Sequence, residues 1–301
     1  MMDLSRLRGR GFVVIGRAGM DLYADPPGTP LERATRFEAA LGGSAANIAA
    51  GLCKLGCEAA LVTCLSEDAV GRWCLGQLAA YGVDSRHVRA VAGEARSSLA
   101  VVDTNGAATQ AVIYRNGAAD FALDMADVEG VPWRGWSALV VTGTALAVEP
   151  SRGATLAAMG QAREAGLPVV IDLDHRPYSW GTDAAEVLGR AADLAHMVVG
   201  NDVEFDVLAG GGNGLDTARA LVAGDRVAIY KMGAEGAITL TPEGETRTGI
   251  FRTEALKPTG AGDSFLAGLL AALAHGRDLA EAVTRGSAAL DAFLADRTTG
   301  A

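Results

Sequence analysis

The sequence predicts an α/β fold built on an open, mainly parallel sheet, and three observations predict it. Short, wholly apolar runs such as Phe12-Val13-Val14-Ile15 alternate with longer segments of helical periodicity. Glycines punctuate the junctions, as Gly42-Gly43 and Gly260 with Gly262 do before two apolar helical runs. Asp21, Asp174 and Asn201 follow apolar runs rather than interrupting them. In an open α/β sheet that is the carboxyl edge, where ligands bind.

Composition bounds the rest. With 301 residues, 50% hydrophobic and 21% charged, the chain can bury one large core, and a single domain over 1–301 is expected. A formal net charge of −10 and the lack of any Lys/Arg-rich run argue against a nucleic-acid surface and for small-molecule partners. An anionic ligand would have to be met by specific cations, and the lysines are only Lys54, Lys231 and Lys257. Cys53, Cys57, Cys64 and Cys74 form no CxxC pair and have no histidines at zinc spacing, so buried, reduced thiols are expected. The apolar run 12–15 lacks the length of a signal peptide, and the run 265–274 is too short to span a bilayer. No membrane contact and a cytoplasmic location are therefore expected.

In chain order, 12–15 is a buried strand ending at Gly16. Asp21 beyond it either accepts hydrogen bonds from substrate hydroxyls or is an ordinary turn residue. The turn-rich excursion 25–30 returns as a strand over 35–41. A helix over 44–55 follows Gly42-Gly43, with Ser44 as its N-cap and Gly56 as its stop. Asn47, on its first turn, reads a hydroxyl or carbonyl or is a surface amide. A strand over 59–65 and a helix over 70–81 continue the alternation, which then breaks at 97–103 and 108–114. These extended runs flank Asn105-Gly106, a strong hairpin signal. A hairpin inside an α/β series belongs outside the main sheet, and with the earlier excursion it makes a small β lid, roughly 17–41 and 95–117. Arg115 at its end either faces the pocket, which would suit an acidic substrate, or is solvated.

Strand 138–142, helix 151–165 and strand 168–173 lead to Asp172-Leu173-Asp174-His175-Arg176. Two carboxylates and a guanidinium leaving a buried strand form a structural ion network or a site, the site being favoured. A helix over 184–192 precedes strand 197–200, which delivers Asn201 and Glu204 to one face at the start of a helix. Carboxylate plus amide suits a hydrated Mg2+ near phosphates, and an N-terminal Glu is also favoured by the helix dipole. Strand 226–231 ends at Lys231, before a turn where Gly233 and Gly236 let a flat ligand or phosphate approach the backbone. That turn opens a hairpin of 237–240 with 247–251. Helices over 260–275 and 279–294 close the chain, with 296–301 frayed.

The loop Thr259-Gly260-Ala261-Gly262-Asp263-Ser264, after Lys257-Pro258, feeds directly into a helix. Free N–H groups and a positive helix end there attract phosphate, and Asp263 lies within reach of what the phosphate approaches. An anion cradle beside a candidate base suggests phosphoryl transfer, although a Gly-rich turn with an acidic first-turn residue is the plain alternative. No Walker-type GxxxxGK[ST] and no strand-proximal GxGxxG with a ribose-binding acid occur.

Asp21, Gly42-Gly43 with Asn47, Asn201 with Glu204, Gly233 with Gly236, and Gly260-Ala261-Gly262-Asp263, in that order, resemble the PfkB (ribokinase-like) carbohydrate kinase family. The resemblance implies a three-layer α/β/α sandwich with a mainly parallel central sheet and a β lid. It also implies ATP and Mg2+ as cofactors and a homodimer formed through the lid. It makes Asp263 the base and Gly260, Ala261 and Gly262 the anion hole. It makes Asn201 and Glu204 the metal and phosphate shell, with Lys231, Gly233, Gly236, Thr259, Gly262 and Ser287 on the nucleotide side. Asp21, Gly42, Gly43 and Asn47 become sugar contacts. Lys257 stands where relatives commonly carry an Asp associated with monovalent-cation binding, and Ser287 where many carry an Asn, which leaves that contact in doubt.

The segments 15–23, 172–180, 200–205 and 257–263 most resemble family members that phosphorylate 5-dehydro-2-deoxygluconate in inositol catabolism, and 114–119 with Arg176 also resembles those acting on 2-keto-3-deoxygluconate. Both substrates are keto-deoxy sugar acids. Arg115 from the lid and Arg176 near Asp174 can pair a carboxylate, which a neutral sugar would not require. Ribose or fructose is the less favoured alternative, and a non-catalytic sugar sensor is disfavoured because Asp263 is present.

Overall fold

The structure is a computed structural model that describes residues 4–9, 11–103, 109–181, 183–224, 226–249 and 260–298. In chain order the elements are β1 (Phe12–Ile15), β2 (Gly19–Asp25), β3 (Arg36–Gly42), α1 (Ser44–Lys54), β4 (Ala59–Ser66), α2 (Ala69–Ala80) and β5 (Val88–Val91). Then come β6 (Ser98–Val102), β7 (Ala111–Tyr114), α3 (Met125–Glu129), β8 (Ala138–Thr142), α4 (Ser151–Glu164), β9 (Val169–Asp172), α5 (Ala184–Leu194) and β10 (Met197–Asn201). The chain closes with α6 (Asp202–Leu208), α7 (Gly214–Leu221), β11 (Val227–Lys231), β12 (Ala237–Thr241), β13 (Gly244–Thr248), α8 (Ala261–Ala274) and α9 (Leu279–Thr298).

The main sheet has nine strands in the order β13-β12-β11-β10-β9-β8-β1-β4-β5. It is parallel from β11 to β5, and only β12 and β13 run antiparallel. All four residues of β1 are buried, as a strand covered on both faces must be. Phe12 and Val14 join one apolar core with Ile48 of α1 and Leu266 of α8, while Val13 and Ile15 join a second with Met159 of α4 and Leu188 of α5. The result is three layers, helix on sheet on helix. The strand order reverses direction of growth at β1, whose neighbours β8 and β4 lead to opposite edges. That switch point opens a crevice at the carboxyl ends of the strands.

A second sheet of four strands, β3-β2-β6-β7, stands apart from the first. It comprises the two segments expected outside the main sheet, with one correction. The stretch around Asp21 is the interior of a seven-residue strand, β2, hydrogen-bonded to β3 on one side and β6 on the other. Its local sequence carries a weak strand signal, and pairing with segments far along the chain decides it. The Asn105-Gly106 turn lies outside the described residues, as do Lys257, Pro258 and Thr259.

Smaller differences follow the same logic. The short β5, α3 and α7 were not expected, and α3 is a five-residue helix held by a capping box between Asp124 and Asp127. The second strand of the C-terminal hairpin starts at Gly244 rather than 247, while 250 and 251 lie outside the described residues. Helix α9 continues to Thr298, past the expected stop at 294 and into the tail read as frayed, whose residues 299–301 are not described. Cys64 and Cys74 are buried as expected, whereas Cys53 and Cys57 are only half-buried. Burial pushes the Cys64 and Cys74 thiols up to about 12, so both stay protonated near neutral pH. Among the described residues no helix is long and apolar enough to cross a membrane.

Candidate active site

Helix α8 supplies the first wall. Gly260 is its N-cap at φ 90°, with no side chain capping it, and the first intrahelical bond runs from Ser264 N–H to Gly260 O at 3.0 Å. A helix start of this kind leaves its first N–H groups unsatisfied by the helix and carries the positive end of the dipole. Asp263 sits in that first turn, 9% exposed, and its Oδ2 accepts a hydrogen bond from Asn47 Nδ2 at 2.9 Å. Burial, reinforced by the Asp174 carboxylate, pushes Asp263 up to about 7 against the pull of Asn47 and Arg176.

Helix α1 and the end of β9 form the second wall. Gly43 is the N-cap of α1 at φ 97°, and a Cβ there would lie 2.3 Å from Arg17 O, so only glycine lets the helix begin this close to the strand β1 turn. Ser44 is not the cap expected of it. It is the first helical residue, and its Oγ donates to Asp174 Oδ2 at 2.5 Å, joined by Thr144 Oγ1 at 3.2 Å. Asp174 is 3% exposed, at φ 34°, with Arg176 Nη2 2.8 Å from its Oδ1. The left-handed backbone and the ion pair together turn Arg176 toward the crevice. Its charge is reinforced chiefly by Asp174 and then by Glu204 and Asp263.

The ends of β10 and β11 form the third wall. Asn201 Oδ1 accepts from Glu204 N–H, and Glu204 Oε2 accepts from Asn201 N–H, both at 2.8 Å, so the pair closes a capping box at α6. Burial and then the nearby Asp172 push Glu204 up to about 7. Lys231, paired in register with Asn201, places Nζ 3.6 Å from Asp172 Oδ1. Burial alone would lower its pKa, but Asp172 and Glu204 outweigh that and raise it.

These walls enclose a cavity of about 470 Å³. Helix α8 contributes Gly260, Ala261, Gly262 and Asp263, α1 contributes Gly43 and Asn47, and the β9 end contributes Asp172, Asp174 and Arg176. The β10 and β11 ends add Asn201, Glu204 and Lys231, and the second sheet adds Asp21 and the apolar Ala100, Val102, Ala111 and Ile113. Among the described residues, five lining carboxylates (Asp21, Asp172, Asp174, Glu204 and Asp263) outnumber three lining cations (Arg17, Arg176 and Lys231).

Several expected residues lie elsewhere. Gly42 does not line the cavity and instead packs against the Asp21 side chain. Arg115 is 5% exposed and borders a separate cavity of about 600 Å³. Its guanidinium is engaged by Asp120 Oδ2 at 2.5 Å from Nη2 and by Thr144 O at 2.9 Å, and stacks over the Phe121 ring. Its charge is therefore neutralised inside the protein rather than offered to a ligand. Gly233 and Gly236 shape the turn before β12 but do not line the cavity, and Ser287 Oγ donates to Val283 O within α9. Thr259 lies outside the described residues.

Sequence reasoning missed Arg17, Thr144 and Tyr178 as lining residues, and gave Ser44 only a capping role. The available signal was position, since Arg17 and Thr144 each stand two residues past a buried strand end, at β1 and β8. Among the described residues no three His, Cys, Asp or Glu side chains gather into a metal-holding group.

The profile of the pfkB family carbohydrate kinases matches residues 10–292. A protein of Photobacterium profundum named 5-dehydro-2-deoxygluconokinase is 40% identical over 286 residues, covering 92% of this chain and 86% of its own. A protein of the same name from Shouchella clausii is 34% identical, with 95% of this chain and 91% of its own covered. Among solved structures, a PfkB protein from a Polaromonas species has a TM-score of 0.82 at 28% identity, covering 94% of this chain and 95% of its own. Aminoimidazole riboside kinase from Salmonella enterica, complexed with aminoimidazole riboside and an ATP analog, has a TM-score of 0.80 at 27% identity, covering 94% and 92%. With its three-layer fold, its crevice at the switch point and a family profile spanning nearly all of its length, this chain belongs to the pfkB family of carbohydrate kinases.

Proposed function

We propose that the chain catalyses ATP-dependent phosphorylation of the primary hydroxyl of a keto-deoxy sugar acid, 5-dehydro-2-deoxygluconate, the sugar acid in the name its relatives carry. The observation that carries this reading is the placement of a buried carboxylate, Asp263, in the first turn of a helix with no side-chain cap, whose N-terminal residues line the same cavity as Arg176.

In this reading Asp263 takes the proton of the attacking hydroxyl. The hydroxyl oxygen bonds to the γ-phosphorus of ATP, and the bond from that phosphorus to the bridging oxygen breaks, leaving its electron pair on ADP. A carboxylate with a pKa near 7 is well matched to base catalysis at neutral pH, a contribution of about 10² to 10⁴ in rate. The N–H groups of Gly260, Ala261 and Gly262 oppose the charge on the transferred phosphoryl group, at about 3 kcal/mol per essential donor. Asn47 holds the base in place. With Arg115 sealed inside by Asp120, pairing of the substrate carboxylate falls to Arg176, which lines the cavity and stays 46% exposed while keeping its Asp174 contact.

The donor set fits Mg2+, which keeps most of its water and binds through one or two carboxylates plus phosphates rather than a protein cage. The capping box commits Asn201 Oδ1 and Glu204 Oε2, so Glu204 Oε1 is the oxygen left to hold the ion. When bound, Mg2+ would neutralise phosphate charge. The second sheet acts as the lid and, with Phe37, Val112 and Tyr114 exposed on it, as the face of a cytoplasmic homodimer.

The test is ATP turnover against 5-dehydro-2-deoxygluconate, 2-keto-3-deoxygluconate, fructose and ribose, for the wild type and Arg176→Met. The wild type should favour the acids by about tenfold or more, because a neutral sugar leaves the Arg176 charge without its ligand partner. R176M should erase that preference. Equal turnover of ribose or fructose by the wild type would overturn the sugar-acid reading, and a preference for 2-keto-3-deoxygluconate would replace the named substrate.

A further inference from the structure

We propose that Lys231 is a catalytic cation that contacts the phosphoryl group during transfer, and that Asp172 is the positioning residue that aims it. This rests on the phosphotransfer reading above and goes further, because it separates one lysine from general nucleotide binding.

Lys231 ends β11 in register with Asn201, so the strand delivers its side chain to the edge where α6 and α8 begin. A Cβ built on Gly262 would lie 3.4 Å from Lys231 Nζ, which places the ammonium against the first turn of α8. Any side chain at 262 would start in contact with it. The cation thus stands beside the N–H groups that meet the phosphoryl oxygens and one residue from the base.

Among the described residues no hydrogen bond uses its donors. The nearest acid, Asp172 Oδ1, is 3.6 Å away, which is an ion pair but too long for a hydrogen bond, and that oxygen has no other hydrogen-bond partner. An ammonium carries three N–H donors, and one that is 17% exposed is poorly supplied with water. Asp172 is itself anchored by the sheet, opposite Thr142 on β8 and Val199 on β10. It fixes the direction of the lysine without satisfying it.

Among the described residues the cavity has two other cations, Arg176, which in the reading above meets the substrate carboxylate, and Arg17. Arg176 is bound by Asp174 at 2.8 Å, and Arg17 donates to Ser98 Oγ at 2.9 Å. With carboxylates in excess among the described lining residues, a triphosphate tail needs a fixed positive charge near the point of transfer. Lys231 is placed to supply it and needs to lose no hydrogen bond to do so. During transfer it keeps its three protons, while the proton of the hydroxyl goes to Asp263 and the bridging electron pair to ADP. What Lys231 offsets is the charge on the non-bridging oxygens of the moving group.

The first control is wild-type turnover of ATP with the sugar acid. If none occurs, the phosphotransfer reading fails whatever Lys231 does. With turnover established, Lys231→Met, Lys231→Arg and Asp172→Asn are compared for kcat, sugar KM, and affinity for ADP and for β,γ-methylene ATP by calorimetry. K231M should lower kcat by about 10² to 10³, the usual effect of removing one transition-state donor, with sugar KM within about threefold. Affinity for β,γ-methylene ATP should fall by about tenfold while that for ADP holds within about twofold, because only the former carries the third phosphate. K231R should recover part of the kcat. D172N should show the same selective loss at about a tenth of the size in kcat. A K231M enzyme within about threefold of wild-type kcat, or one that loses ADP and analogue affinity equally, would overturn the proposal. Sugar binding and the melting curve report the fold of each variant, and should K231M fail to fold, K231Q takes its place under the same criteria.

Discussion

Replacing Asn47 with alanine removes the one side-chain hydrogen bond donated to Asp263 Oδ2, at 2.9 Å, and the consequence is read in pH rather than in rate alone. A hydrogen bond to a charged acceptor contributes about 1.5 to 3 kcal/mol, and about 1.36 kcal/mol corresponds to one pKa unit. That donor favours the carboxylate form, so its loss raises the pKa of the base by about 1 to 2 units, and water entering the gap keeps the change near the lower end. Starting from about 7, the base of N47A should titrate about one unit higher. A base works when deprotonated, so activity must now be lost at higher pH than before. The assay is kcat/KM for the sugar acid over about pH 5.5 to 9.5, which reports the free enzyme's essential base. The acid limb should move upward by about one unit, with the deficit against wild type shrinking toward the alkaline end. A uniform drop at every pH, with the limb unmoved, would mean that Asn47 only touches sugar and would refute the reasoning.

Two further outcomes concern stability. Asp120→Ala should destabilise the fold by about 3 to 5 kcal/mol in urea unfolding, because it strands the Arg115 guanidinium where both partners are 3% exposed or less, and a change below about 1 kcal/mol would contradict that. Asp263→Asn should abolish turnover yet raise the melting temperature, and more at pH 8 than at pH 5. The folded-state pKa of about 7 lies above the ordinary 3.8, so the folded form holds the proton more tightly and stability declines as pH rises from about 4 through 7. An equal change in melting temperature at both pH values would mean that the carboxylate is not desolvated.

The parts of the site that could be read in advance are those that are local in sequence. Gly260-Ala261-Gly262-Asp263 places a cradle and a carboxylate within one turn of helix, and Asn201 with Glu204 sits at one helix start, so spacing alone sufficed. At Asn201 and Glu204 the structure adds a capping box that uses one oxygen of each and leaves Glu204 Oε1 uncommitted. At Arg115 the partner was only five residues away, but whether Asp120 or solvent receives the guanidinium depends on what buries them both. The second sheet shows the same division. Its hairpin was legible from Asn105-Gly106, while β2 needed β3 and β6 to exist before Asp21 became a strand residue.

By itself the sequence determined most strands of the main sheet and the longer helices around them, because apolar periodicity and glycine punctuation act over a few residues. It also determined that glycines and a carboxylate share one helix end. Only the tertiary structure decided who holds the base and who aims the cations. Asn47 meets Asp263 across 216 positions, Ser44 meets Asp174 across 130, and Lys231 on β11 reaches Asp172 on β9 and the face of Gly262. Those contacts are set by strand order and helix packing, and charges brought together that way take their pKa values and their partners from burial that no local pattern encodes.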